Sequence, residues 1–323
     1  MRKWLLPEAI EDVLPSEAQR LETLRRALLD HFATRGYRLV QPPLVEHLDS
    51  LLTGSGRDLE LQTFKVVDPV SGRLVGVRAD ITPQVARIDA HVLNEAGVTR
   101  LCYAGSVLRT TPALPGESRE VFQVGAELFG EPRIDGDREV VALLLSSLAQ
   151  VGVRGLHLDL GHVGVYRALV NGAGISEDAE LFAALASKDV PAVRELVGRL
   201  SAAWRTALTA LPTLYGPAQE VLARAQAELP DTPAIANALA SLATLADASA
   251  RNVEALHIDL ADLRGYHYHN GAIFSVFTAG AATAVGNGGR YDGIGKAFGR
   301  ARPATGFTLD LRQLAGVVGQ ASA

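Results

Sequence analysis

The segment Glu120-Val121-Phe122-Gln123-Val124-Gly125-Ala126-Glu127-Leu128 alternates polar and apolar residues with a period of two. Successive side chains of a strand point to opposite faces, so Phe122, Val124 and Ala126 share one face and Gln123, Gly125 and Glu127 the other. This alternation predicts a strand of an antiparallel sheet whose apolar face lies on a core. The polar face has two readings, a solvated side of the sheet or the floor of a pocket. Gly125 leaves open space between the polar pair, a carboxylate pairs an ammonium, and an amide both donates and accepts. A floor of Gln123 and Glu127 therefore suits an amine-bearing ligand.

Working outward, residues 100–109 form the preceding strand, joined to this one by the turn-rich stretch 110–117. Residues 64–68 and 74–78 read as a hairpin around Ser71-Gly72. Tyr37-Arg38-Leu39-Val40 is a short strand stopped by Pro42-Pro43. Before it, Leu21, Leu24, Leu28, Leu29 and Phe32 fall on one helical stripe, with Ser16 predicted to cap Gln19 and Gly36 suited to the end. Thr82-Pro83-Gln84 opens another helix, residues 137–151 form a further one, and residues 155–160 a strand.

From Val163 to about Ala250 the chain is rich in Ala and Leu and lacks β-branched alternation, which predicts a helical insertion over 163–250. Residues 1–162 and 251–323 then form one core, with strands at 255–260 and 272–278 and a terminal helix holding 309–318. Hairpins followed by helices, without regular βαβ alternation, indicate an α+β fold: an antiparallel sheet flanked by helices.

Bulk composition narrows the function. The 323 residues are 48% hydrophobic and 21% charged, ordinary for a globular chain. The formal charge of −5 lacks the basic surplus that a nucleic-acid partner demands. The single cysteine, Cys102, sits in an apolar run, so neither an internal disulfide nor a CxxC metal pair is available. Pro7, Glu8 and Glu11 interrupt any N-terminal signal, and no apolar run reaches the ~18–20 residues that span a bilayer. A cytoplasmic protein without a membrane partner is expected.

Two local features invite stronger readings. Gly286-Asn287-Gly288-Gly289 lacks the GxxxxGK[ST] spacing of a phosphate loop and reads instead as a tight turn between strand and helix. His267 and His269, two apart, would share one face of a strand, but a zinc site needs further ligands and only the distant His257 is at hand. A polar pocket wall without a metal is the expectation.

Six blocks then stand in a telling order: Val77-Arg78-Ala79-Asp80-Ile81-Thr82, Ser106-Val107-Leu108-Arg109, Phe122 to Glu127, Arg264-Gly265-Tyr266-His267-Tyr268-His269, Gly288-Gly289-Arg290-Tyr291-Asp292 and Gly306-Phe307-Thr308-Leu309-Asp310. Together they resemble the catalytic core of the class II histidyl-tRNA synthetases over nearly the whole chain. The resemblance implies a histidine pocket built from Asp80, Thr82, Arg109, Gln123, Glu127, Arg264, Tyr268 and His269. Asp80 stands where that family has Glu, His269 where a Tyr usually lies, and His267 where an Asp usually lies.

The departures concern ATP. The Glu and Arg that follow the motif 2 arginine are replaced by Thr110-Thr111-Pro112, and Gln313 takes the place of the motif 3 arginine. Arg312 is one residue off, a turn of about 100° on a helix, and is not expected to substitute. The synthetase's anticodon-binding domain is expected to be absent, since the chain ends shortly after motif 3.

A kept histidine pocket with a damaged ATP site is similar to the short paralogues known as ATP phosphoribosyltransferase regulatory subunits. That family implies a non-catalytic, cofactor-free protein that joins a short-form catalytic subunit at the first step of histidine biosynthesis, with L-histidine as feedback effector. The first helix and residues 41–46 resemble motif 1, which implies a homodimer within a hetero-oligomer. The competing expectation is an amino-acid adenylate-forming enzyme, because Arg109 and Arg264 persist.

Overall fold

A computed structural model describes residues 5–54, 57–176 and 178–320. Arg2 and Lys3, the two basic residues of the N-terminal stretch expected not to be a signal, lie outside the described residues. Twelve strands are present among the described residues: β1 (Arg38–Leu39), β2 (Val45–His47), β3 (Phe64–Val67), β4 (Leu74–Val77), β5 (Thr99–Leu108), β6 (Glu120–Phe129), β7 (His157–His162), β8 (Tyr215–Pro217), β9 (Ala255–Asp259), β10 (Ala272–Phe277), β11 (Gly286–Arg290) and β12 (Ala304–Asp310). Nine of them form one sheet in the order β1-β5-β6-β12-β11-β10-β7-β9-β8, and β2-β4-β3 form a smaller one. All pairings in the large sheet are antiparallel except β1 with β5 and β7 with β9.

β6 is the third of these nine strands, paired on both sides, and its two faces differ as its alternation predicts. Val124, Ala126 and Leu128 are buried in a core shared with Leu24, Leu28 and Phe32 of the Pro15–Thr34 helix and with Val140, Leu144 and Leu148 of the Ile134–Gln150 helix. Each fully buried aliphatic side chain contributes about 1.5–3 kcal/mol, so this face supplies much of the fold's driving force. The opposite face is covered too, by Ile81, Val85, Tyr291 and Ile294. Gln123 and Glu127 are accordingly 2% and 1% exposed, which excludes the solvated reading of the polar face.

Several local expectations change. The first helix begins at Pro15 with Leu14 as N-cap and no side-chain cap bond. Proline's fixed φ suits the first helical position, which moves Ser16 inside the turn instead of at its cap. The glycine cluster is β11, a strand and not a turn. A Cβ on Gly288 would overlap the Gly306 carbonyl and the Phe274 ring, so glycine leaves room there for the β12 backbone and an aromatic side chain of β10. The Thr82–Arg87 helix continues as a π-helical turn, Ile88–Leu93. Among the described residues, six α-helices and one 3-10 helix occupy the stretch from Val163 to Ser249, but β8 also falls within it and extends the sheet beyond β9. No helix of the described residues is long and apolar enough to cross a membrane.

Candidate functional site

The centre of the site is the Glu127 carboxylate. On β6 it stands opposite Leu101 of β5 and Gly306 of β12, at the middle of three paired strands. One oxygen accepts from the Thr82 hydroxyl at 3.0 Å and from the Tyr103 hydroxyl at 3.2 Å, and the other accepts from the Tyr291 hydroxyl. Tyr103 also meets Thr308 Oγ1 at 2.6 Å and Thr82 Oγ1 at 3.1 Å. Burial pushes the Glu127 carboxyl up to about 8, against the lowering effect of these hydroxyl donors, and the nearby Asp80 charge adds to the rise. The same enclosure drives the Tyr103 and Tyr291 phenols above their usual range.

The open space expected at Gly125 is filled. Tyr103 pairs with Gly125 across the strands, and a Cβ there would overlap the Tyr103 phenol. The glycine thus admits a protein side chain, not a ligand. Gln123 is held as well, its Oε1 accepting from the Ile81 amide at 3.0 Å.

Space for a ligand lies in two neighbouring cavities that share Arg264. The first, about 730 Å³, is bounded by Asp80, Pro83, Phe182, Arg264, Tyr266 and Tyr268 among others. Asp80 Oδ1 accepts only the Thr82 amide, at 3.2 Å, among its described contacts, which leaves its other oxygen for an ammonium. Arg264 is paired with Asp262 and donates to Ser275 Oγ at 3.2 Å. Tyr268 stacks on Tyr291 at 5.0 Å, which connects the cavity to the Glu127 floor.

The second cavity, about 540 Å³, is where the resemblance puts ATP. Arg109, Arg264 and Arg312 face it together with Glu11, Glu17, Glu117, Glu120 and Asp310. Contrary to the helical-turn argument, Arg312 does reach this space. The last helix, Leu311–Gln320, starts immediately before it, so Arg312 sits in the first turn beside the N-terminal segment. Its guanidinium lies 3.5 Å from both Glu11 and Glu120. Gln313 is turned to Thr283, donating to its carbonyl at 3.1 Å and its hydroxyl at 2.7 Å. Carboxylates outnumber guanidiniums in this cavity, and a polyphosphate would be repelled more than held.

Of the eight residues marked in the sequence, Thr82 and Glu127 touch, Asp80, Arg264 and Tyr268 border the 730 Å³ cavity, and Arg109, Gln123 and Arg264 border the other. His269 borders neither. The segment from Arg264 to His269 is a turn and not a strand, so His267 and His269 do not share a face. His269 packs against Gly265 and Gly289, its Nδ1 lies 3.2 Å from the Arg290 carbonyl, and burial lowers its imidazole to about 4. The His267 ring stacks on Phe182 at 5.9 Å. Among the described residues no group of three or more His, Cys, Asp or Glu side chains is arranged to hold a metal. The residues missed by sequence reasoning are Tyr103, Tyr291 and Phe182. Tyr291 stood within a quoted block, but Tyr103 becomes relevant only through its pairing with Gly125, which depends on register.

The histidyl-tRNA synthetase family model matches residues 9–314. A protein of Ralstonia nicotianae named ATP phosphoribosyltransferase regulatory subunit is 58% identical over 98% of this chain and 82% of its own length. One of the same name from Thiobacillus denitrificans is 56% identical over the full length of both. A solved structure from Bacillus halodurans, described as an ATP phosphoribosyltransferase regulatory subunit/histidyl-tRNA synthetase, superposes with a TM-score of 0.87 at 27% identity, covering 98% of this chain and 83% of that one. With a class II synthetase core whose second cavity carries more carboxylates than guanidiniums, the chain belongs to the family of ATP phosphoribosyltransferase regulatory subunits, related to histidyl-tRNA synthetase.

Proposed function

We propose that this protein is the non-catalytic regulatory subunit of a short-form ATP phosphoribosyltransferase, and that L-histidine is its effector. The protein supports the first step of histidine biosynthesis by joining the catalytic subunit, and histidine binding alters that partnership. The effector occupies the 730 Å³ cavity, with its ammonium at Asp80, its carboxylate toward Arg264, Tyr268 on its wall, Thr82 and Glu127 bracing the floor, and Gln123 on the side of the adjoining cavity that shares Arg264. Arg109 and His269 belong to this site by family resemblance, His269 as a support behind Tyr268 and Tyr291. The observation that carries the non-catalytic reading is the second cavity, where five carboxylates face three guanidiniums and Arg312 pairs with Glu11 and Glu120.

The quaternary reading is a homodimer, through the first helix and residues 41–46, assembled with catalytic subunits. It is supported by the small sheet, where Val45, Val66, Val67 and Leu74 are between 43% and 60% exposed. Apolar side chains gathered on one sheet suit a covered surface. Residues 163–250 are an inserted helical unit in this reading, attached to the core 1–162 and 251–323.

Feedback is then linkage. Histidine must bind one arrangement of the complex more tightly than the other, and the coupling is reciprocal with the catalytic site. Calorimetric titration of the purified chain is expected to give saturable histidine binding and no ATP binding. Asp80→Asn, which removes the charge facing the ammonium, is expected to weaken histidine about tenfold or more. Histidine-dependent pyrophosphate exchange would overturn this reading in favour of an adenylate-forming enzyme.

A further inference from the structure

The 730 Å³ cavity has a wall that the core does not supply. Phe182 and Ala186, on the Ala179–Ala186 helix, border it together with Asp80 and Pro83 of the core. The helix is firmly started, since Asp178 accepts from the Glu180 and Leu181 amides at 2.9 and 3.1 Å. Phe182 lies nearly parallel to the His267 ring, at 27°, and packs on Tyr166 and Tyr266 at 5.9 and 5.5 Å.

A second contact from the same helix-rich stretch holds another border of the cavity in position. Arg167, on the Val163–Gly172 helix, lies over the Tyr266 ring at 4.9 Å and donates to the Tyr266 and His269 carbonyls at 3.4 and 3.3 Å. The turn carrying Arg264, Tyr266 and Tyr268 is thus held between two helices of this stretch and the core residue Tyr291.

From this geometry we infer that the helical insertion forms part of the effector site: Phe182, stacked with His267, is a ligand-contacting wall that recognises a flat-ringed amino acid. The inference rests on the histidine-effector reading and deepens it. The cavity offers a carboxylate and a guanidinium for the amino-acid backbone groups, and stacked aromatic pairs, Phe182 with His267 and Tyr268 with Tyr291, for a planar side chain. A ligand seated there touches the core at Asp80 and the insertion at Phe182, so its occupancy ties the two together. The helices between Val163 and Ser249 then sense histidine instead of merely packing on the sheet.

Two measurements on the full chain test this. Phe182→Leu keeps apolar volume and removes the ring, and its histidine dissociation constant is expected to rise about five- to tenfold, the scale of one aromatic contact. Hydrogen–deuterium exchange of the unaltered protein, which does not depend on how any variant folds, is expected to slow in the Ala179–Ala186 helix when histidine is added. Histidine binding to the unaltered chain, with the same affinity in Phe182→Leu and no slowing in this helix, would overturn the inference and leave the effector reading standing. Failure of the unaltered chain to bind histidine would overturn both.

Discussion

Glu127→Gln is expected to weaken histidine binding by about tenfold or more and to remove a pH dependence of stability that the unaltered protein carries. Burial raises the folded-state carboxyl from the ordinary 4.5 to about 8. Between these values the folded protein holds a proton that the unfolded chain has lost. Its contribution to stability is therefore full below about pH 4.5 and is lost as pH rises to about 8, a change on the order of a few kcal/mol. Glutamine has the same shape and no charge to desolvate. Its carbonyl accepts from Tyr291, and the hydroxyls of Thr82 and Tyr103 rotate to accept its amide. Urea unfolding at pH 5 and pH 8 should give a smaller difference for the variant than for the unaltered protein; equal differences would refute the assignment. A cationic ligand at the cavity favours the ionised carboxylate, so histidine binding near pH 7 is also expected to release protons. Calorimetry in buffers of different ionisation enthalpy reads this directly, and the release should vanish in Glu127→Gln.

The largest effect on stability is expected from Asp137→Ala. Arg290, at the end of β11, is 8% exposed and pairs with Asp137, which is 3% exposed, at 2.8 Å. It also donates to the Glu131 and Arg133 carbonyls and meets Asp292 at 3.2 Å. Burial raises the Asp137 carboxyl, while the Arg290 charge works against that rise. Removing one member of such a pair leaves a buried charge without its partner, which costs about 3–5 kcal/mol. The urea midpoint should fall with little change in the slope of the transition. The pair Asp137→Leu with Arg290→Met, which takes away both charges, should recover much of the loss. A double variant no more stable than Asp137→Ala would mean that Arg290 acts mainly through its carbonyl contacts. Because Arg290 directly precedes Tyr291, the single variant should also loosen the Glu127 floor and weaken histidine binding.

The legible part of the fold was local. Period-two alternation placed β6 and its core face, and the helical stripe from Leu21 to Phe32 placed the first helix, because these patterns follow from the geometry of one element at a time. Glycine-rich β11 was misread for the same reason: Gly288 looks like a turn in isolation and is needed in a strand only because Phe274 and the β12 backbone press on it. The pair His267 and His269 was given strand geometry that the turn does not have.

The sequence by itself determined the family core and the polar residues of β6, and it carries Gln313 where the family resemblance expects an arginine, since each is a matter of residue type at a position. Tertiary structure alone decided three things. It put Tyr103 into the space left by Gly125, it brought Arg312 to Glu11 and Glu120, and it carried Phe182 to the border of the cavity that Asp80 also lines. Each joins side chains far apart in the chain through strand register or helix docking. Those depend on how all the elements pack at once, and no local pattern of residues encodes them.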